Sequence, residues 1–406
     1  MAVRPRITDE QRRARQWHRQ LLDRHEAPPT VAAVADRLVA LHATTASTVY
    51  LSTWARAPQL TVGDVDAALY EHRSVVKHLG MRRTLFVTSQ DVLDEVLGAV
   101  SARVAASERT NMLRDLRRSP DIDDPDTWID TACAAALAAL DAGGPQPTRQ
   151  LRAAVPILAQ RIEGPADSSW GGPMQMGSRI LNYLAASGQI VRGPDDGPWY
   201  TSRITWGPMA RWLGREPAGL SLDQGHLGLI ERWLRVFGPG TETDIAWWLG
   251  STKTAVRRTL AQLQVVEVDL DDGQTGYVLP DDAETADPAP DDDAVTLLPE
   301  LDPTTMGHKQ RGFFLGETEK LLFDRNGNGG TTAWWRGQVV GGWLPRPAGD
   351  ARGPGIELVL CDKVPARVER ALRARGDELA RWCAPAPVPR GLYLGPAQKA
   401  AGHQNR

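Results

Sequence analysis

Apolar positions fall into short amphipathic runs separated by caps and turns. Residues 7–25 predict a helix, with a capping box at Thr8 and Gln11 and an apolar face of Ile7, Trp17, Leu21 and Leu22. Thr30 caps a second helix, expected over 30–41, with Val31, Val34, Leu38 and Leu41 on one face. A short polar break follows, His42-Ala43-Thr44-Thr45, then a helix through Tyr50, Leu51 and Trp54, and another over 61–72. The sequence then turns β-rich at Val75-Val76 and Thr84-Leu85-Phe86-Val87, and Ser89 caps a helix starting at Gln90. Helices followed by a two-stranded ribbon are the plan of a winged-helix unit.

The plan recurs, and the repetition is the main architectural signal. In 145–206, Thr148 is expected to cap a helix carrying Leu151, Val155 and Leu158. A helix near 175–187 follows, ended by Gly188, then a ribbon of Ile190-Val191 and Trp199-Tyr200. In 224–279 a first helix ends at Phe237 and Thr241 caps a second. After the turn Gly250-Ser251 comes a third helix, then strands 265–270 and 277–279 around Asp271-Asp272-Gly273. Lys253, Arg257 and Arg258 lie on the outer side of that third helix, where a recognition helix meets phosphates.

The pattern thus predicts an α+β chain of tandem winged-helix (helix-turn-helix) units. The expected divisions are 1–119, 120–215 and 216–280, an acidic Asp/Pro/Ala-rich linker over 281–294, a β-rich C-terminal domain over 295–385, and a poorly ordered tail over 386–406. The β-rich part reads as a small barrel or sandwich, and 364–383 as an arginine-rich helix.

Composition changes this picture little. A 42% apolar and 24% charged chain is an ordinary globular one. Three cysteines far apart exclude a disulfide framework and a zinc site of the usual spacing, and they fit a reducing cytoplasm. Neither a membrane span nor a signal peptide is expected. Charge is more telling in its distribution than in its sum of −3. Segments 120–144 and 270–308 hold six and eleven acids and no base, which leaves the rest at +14. A basic face for DNA is expected, with acidic loops turned away from it.

Several segments, in order over roughly 10–383, resemble bacterial winged-helix DNA glycosylases of the AlkZ/YcaQ-like group. They are Leu41-His42-Ala43-Thr44 with Leu51-Ser52-Thr53-Trp54-Ala55-Arg56, Met81-Arg82-Arg83-Thr84-Leu85-Phe86, 237–248, and Leu297-Leu298-Pro299-Glu300-Leu301-Asp302-Pro303 continuing to Gly307-His308-Lys309-Gln310-Arg311. The last is the most specific. The resemblance implies three winged-helix units and a small C-terminal β-barrel wrapped into a C around duplex DNA, and removal of damaged bases without a metal or cofactor. In many members a Gln-hydrophobic-Gln or Gln-hydrophobic-Asp triplet positions the attacking water. His42 and Thr44, around Ala43, occupy those positions here. Arg83 and Phe86 stand where the group often has Gly and His.

Hydrolysis of an N-glycosidic bond needs a flipped nucleotide, a water near C1′, and relief of charge on sugar and base. Histidine can accept from a water or donate to a base, and the residues leave both roles for His42 open. Taken alone, His42 also reads as a packed helix-end histidine and Thr44 as an N-cap. No carboxylate occurs between Asp36 and Asp64, so one acting on the water would come from elsewhere; Asp302 is a candidate for support or for a turn cap. Arg82, Arg83, Lys253, Arg257, Lys309 and Arg311 are the expected phosphate contacts. The tryptophans read as core. No lysine sits in a Schiff-base motif, so a monofunctional, monomeric glycosylase for alkylated, bulky-adducted or crosslinked purines is expected. Excision of deaminated bases is the alternative within this chemistry. A winged-helix regulator, which would bury His42 and Thr44 and dimerise, is the alternative outside it.

Overall fold

The computed structural model describes residues 4–23, 28–163, 174–347 and 349–404, and among them is a mixed α+β fold. Each of the three ribbons recruits a third strand, as a lone hairpin is marginal in water. Val75–Leu79 and Leu85–Ser89 pair antiparallel, and Leu41–His42 adds beyond Leu85–Ser89. Thr205–Pro208 lies between Gln146–Pro147 and Ile190–Arg192. Val266–Leu270 pairs with Thr275–Val278 and takes Arg6–Ile7 in parallel.

Caps at Thr8, Thr30, Ser89 and Thr241 form as expected, each side-chain oxygen accepting a backbone N–H. Thr148 does not cap. It lies within Thr148–Ala154, and its Oγ1 accepts from Trp206 Nε1 at 2.9 Å. The first helix is Asp9–Arg19; positions 24 and 25 of its expected span lie outside the described residues. The second stops at Arg37 rather than 41. Val39 turns the chain at φ 63°, so that Leu41 keeps its burial while joining a sheet. Trp199 and Tyr200 form no strand. Trp199 packs instead against Tyr50 and Trp382, at ring distances of 4.9 and 6.1 Å, and pairing starts at Thr205.

The C-terminal strands Val295–Leu298, Thr332–Trp335, Gln338–Pro345 and Ile356–Leu360 form one antiparallel sheet in that order. It is open rather than a closed barrel among the described residues. The helix Ala366–Cys383 packs on both edge strands and covers the face that closure would have buried. The 281–294 segment is docked, not free: Asp282 is buried and accepts from Arg15 and Arg19, and Asp287 also accepts from Arg19. The tail is likewise built in. It carries the helix Pro396–Gln404, and buried Gln398 donates to the Thr331 carbonyl at 2.9 Å. No helix of the described residues is long and apolar enough to cross a membrane.

Two hydrophobic clusters fix the N-terminal segment from both sides. One joins Leu51 and Trp54 to Trp334, Trp343 and Leu372; the other joins Phe86 and Val96 to Trp233 and Ile245. The Leu41–His42 strand and the 80–84 turn therefore sit where distant parts of the chain meet.

Candidate active site and nucleic-acid interface

His42 lies on a strand, with its ring 4.8 Å from that of Phe86, its neighbour across the ladder. It is 3% exposed. Burial, and next the charge of Arg82, push its imidazole down to about 3, so it is neutral at physiological pH. The Thr44 backbone N–H donates to His42 Nδ1 at 3.3 Å. Nδ1 is thereby the acceptor, and in the neutral ring Nε2 carries the proton. Thr44 is more open than His42, yet its Oγ1 is buried without a partner. A hydroxyl with idle donor and acceptor capacity can hold a water. The structure thus brings His42 and Thr44 together through a backbone bond and buries both the ring and the hydroxyl, as expected of the regulator alternative.

Arg82 occupies the turn that links Val75–Leu79 to Leu85–Ser89. Arg82 and Arg83 both have positive φ, 52° and 62°. The Arg82 guanidinium lies 3.9 Å from the Trp247 ring centroid, and Arg311 approaches the same ring at 5.0 Å. Gly250 ends the helix Glu242–Leu249 at φ 63°, and an added Cβ there would stand 3.3 Å from Arg82 Cγ. The loop before Arg311 is pinned by Asp244, whose Oδ1 accepts from the N–H groups of Lys309 and Gln310, both at 2.9 Å. Burial pushes Arg82 and Arg311 each down to about 10.

The remaining expected residues are distributed. Asp302 is fully buried against Arg56, accepting at 2.8 and 2.9 Å, and also accepts from Ser52 Oγ at 2.6 Å and Thr304 N at 2.9 Å. With four donors on two oxygens it is a structural anchor. Arg311 is buried too; it donates to the His308 carbonyl at 2.8 Å and lies 3.7 Å from Glu319, so its loss removes packing rather than surface charge. Arg83 pairs with Glu108, Arg257 with Glu242 and Arg258 with Asp223. Lys253 and Lys309 are exposed. Part of the +14 balance is thus spent inside the protein, as with Arg15 and Arg19 on Asp282. Trp247, read from sequence as core, is a partly open platform beneath two arginines, and nothing in its local sequence distinguishes it from Trp248.

The model of the AlkZ-like DNA glycosylase family matches residues 35–382. Among solved structures, the Streptomyces sahachiroi DNA glycosylase AlkZ is similar in fold. Its TM-score is 0.70 at 20% identity, over 95% of this chain and 99% of that one. No curated protein matches the chain.

Proposed function

The chain belongs to the AlkZ-like DNA glycosylase family, and from that premise we propose that it excises alkylated purines from duplex DNA by water attack at C1′. The observation that carries the choice of substrate is the neutral His42 with Nδ1 tied to the Thr44 N–H. Such a ring can lend a hydrogen bond from Nε2–H but has no acid proton to give at neutral pH. A cationic alkylpurine needs none. Water adds to C1′, the glycosidic electron pair passes to the cationic base, which leaves neutral, and the water's proton goes to solvent. Thr44 Oγ1 holds the water, and His42 donates to the departing base. Uracil and hypoxanthine leave as anions and could take the same Nε2–H bond, but they would depend on it for their charge relief, whereas an alkylpurine brings its own positive charge. Bulky or crosslinked N7 adducts remain within the class, because they share the cationic leaving group.

In this reading the three helix-and-ribbon units over 1–119, 120–215 and 216–280 are winged helices. With the C-terminal domain they wrap the duplex as a cytoplasmic monomer. Lys253, Arg257 and Lys309 supply surface charge, and neither metal nor cofactor takes part. The test is incubation with duplexes bearing N7-alkylguanine, N3-alkyladenine, uracil or hypoxanthine, read by alkaline cleavage at abasic sites, with and without chelator. Cleavage at the alkylpurines alone, unchanged by chelator, is expected. Preferential release of uracil or hypoxanthine overturns the substrate reading, and loss in chelator restored by one metal overturns the mechanism.

A further inference from the structure

We propose that Arg82, clamped on Trp247 beside Arg311, is a built binding site for the DNA phosphate adjoining the reacting nucleotide. The inference rests on the duplex-DNA reading above and names the group that fixes the strand at the site.

Four observations carry it. First, Arg82 has no carboxylate partner among the described residues. Its Nε is buried without a partner, and another arginine, Arg311, lies over the same indole. Arg83, Arg257 and Arg258 all have carboxylates. A guanidinium largely removed from water without a counter-ion is unfavourable unless something else supplies the negative charge. Second, the side chain is held rather than free, by the indole on one side and Gly250 on another. Third, the turn adopts left-handed backbone at two successive arginines, a conformation that costs energy and is kept where the surroundings demand it. Fourth, three separate stretches converge there: the 80–84 turn, the helix Glu242–Leu249, and the 307–311 loop fastened by Asp244. Arg82 also lies close enough to repel a charge on His42. His42 pairs with Phe86 in the strand that leaves this same turn, so a phosphate on Arg82 would lie on the hairpin that carries His42's partner and would offset the charge of Arg82.

The experiment measures binding of the full chain to a duplex holding a stable abasic-site analogue, and to copies in which one phosphate at a time is a neutral methylphosphonate. The wild type should lose about tenfold in affinity at one position next to the analogue. Arg82→Gln should lose about as much on the unmodified duplex and be indifferent to that same methylphosphonate, since both changes remove one interaction. Its log-affinity against log-salt slope should shrink by about one. Its unfolding midpoint should equal or exceed that of the wild type, which separates lost binding from lost folding. Arg82→Lys should recover part of the affinity. Additive losses, or wild-type affinity in Arg82→Gln, overturn the proposal. Competition by millimolar inorganic phosphate that matches the duplex reassigns the site to a free anion and overturns it too. A wild type that binds no duplex at any salt sinks the DNA reading itself; steep salt dependence with no methylphosphonate masked by Arg82→Gln sinks this site alone.

Discussion

Arg56 and Arg82 are two arginines held largely away from water in opposite ways. Arg56 is fully buried and saturated: Asp302 takes two of its bonds, and the Gln20 carbonyl, the Ser52 carbonyl and Thr304 Oγ1 take others. Arg82 lies on an indole, faces a like charge and has no counter-ion among the described residues. Both come from segments that carry the family resemblance. The Leu-Ser-Thr-Trp-Ala-Arg run meets the Leu-Asp-Pro-Thr-Thr run through Ser52, Arg56, Asp302 and Thr304, so those motifs read as an interlock between the N-terminal segment and the C-terminal domain. The Met-Arg-Arg-Thr run instead leaves a cation poised. A satisfied buried charge holds the fold, whereas an unsatisfied one marks where a ligand completes the electrostatics.

The largest effect expected from this contrast is on stability. Asp302→Ala strands Arg56 in the interior and should cost about 3–5 kcal/mol, the usual penalty for breaking a buried ion pair from one side. Urea unfolding checks it. Arg82→Gln in the same assay should cost nothing or stabilise, because it removes a repulsion. If Asp302→Ala unfolds like the wild type yet abolishes excision, Asp302 belongs to the chemistry and the contrast fails.

Next comes His42, whose ladder partner Phe86 stands in the strand that leaves the Arg82 turn. His42→Ala should lower single-turnover excision of an alkylpurine by about tenfold, the loss of one hydrogen bond to the departing base. The pH dependence sharpens this. The folded-state imidazole is pushed down to about 3, so it stays neutral across the working range. Excision should show no histidine inflection between about pH 5.5 and 8.5. An inflection near 6.5 would mean that an imidazolium takes part. The same shift has a stability consequence. His42 and His78 fall to about 3 and His308 to about 4, so between those values and 6.5 the unfolded chain binds protons that the fold does not. Stability is full above pH 6.5 and erodes as pH falls below it toward the folded-state values.

Much of the framework was legible because it rests on local chemistry. Thr8 with Gln11 and Thr241 with Asp244 announce helix starts through side chains that bond three residues ahead. The site was legible only in part. His42 and Thr44 were singled out by their place in a motif, but the sequence put them on a polar break, whereas the chain turns at Val39 and places His42 in a strand. That turn depends on pairing with Leu85–Ser89, a partner more than forty residues away. For Asp302 the sequence leaves site support and a turn cap open, and the structure has it cap Pro303–Met306 while holding Arg56; Arg311 reads as a phosphate contact, and only the tertiary fold supplies the carbonyl and carboxylate that bury it. Trp247 was hidden for the complementary reason, since a core tryptophan and a platform beneath two arginines have the same sequence.

The smallest effect lies at the exposed end of the series, where Arg257 pairs with Glu242 on the surface. An exposed pair adds little to folding, so Arg257→Ala should leave the unfolding midpoint unmoved. Its value for the contrast is that Arg257 has a counter-ion it can exchange at little cost. If the helix Lys253–Gln262 lies on a duplex, Arg257→Ala should weaken binding by about twofold to threefold in low salt, equally for all sequences. Glu242→Ala, which frees the same guanidinium, should tighten binding by a similar factor, and raising the salt should erase both effects. Opposite signs for the two substitutions would place this helix on the DNA with a reserve cation. No change in either would confine the interface to the surface around Arg82, which has no carboxylate partner among the described residues.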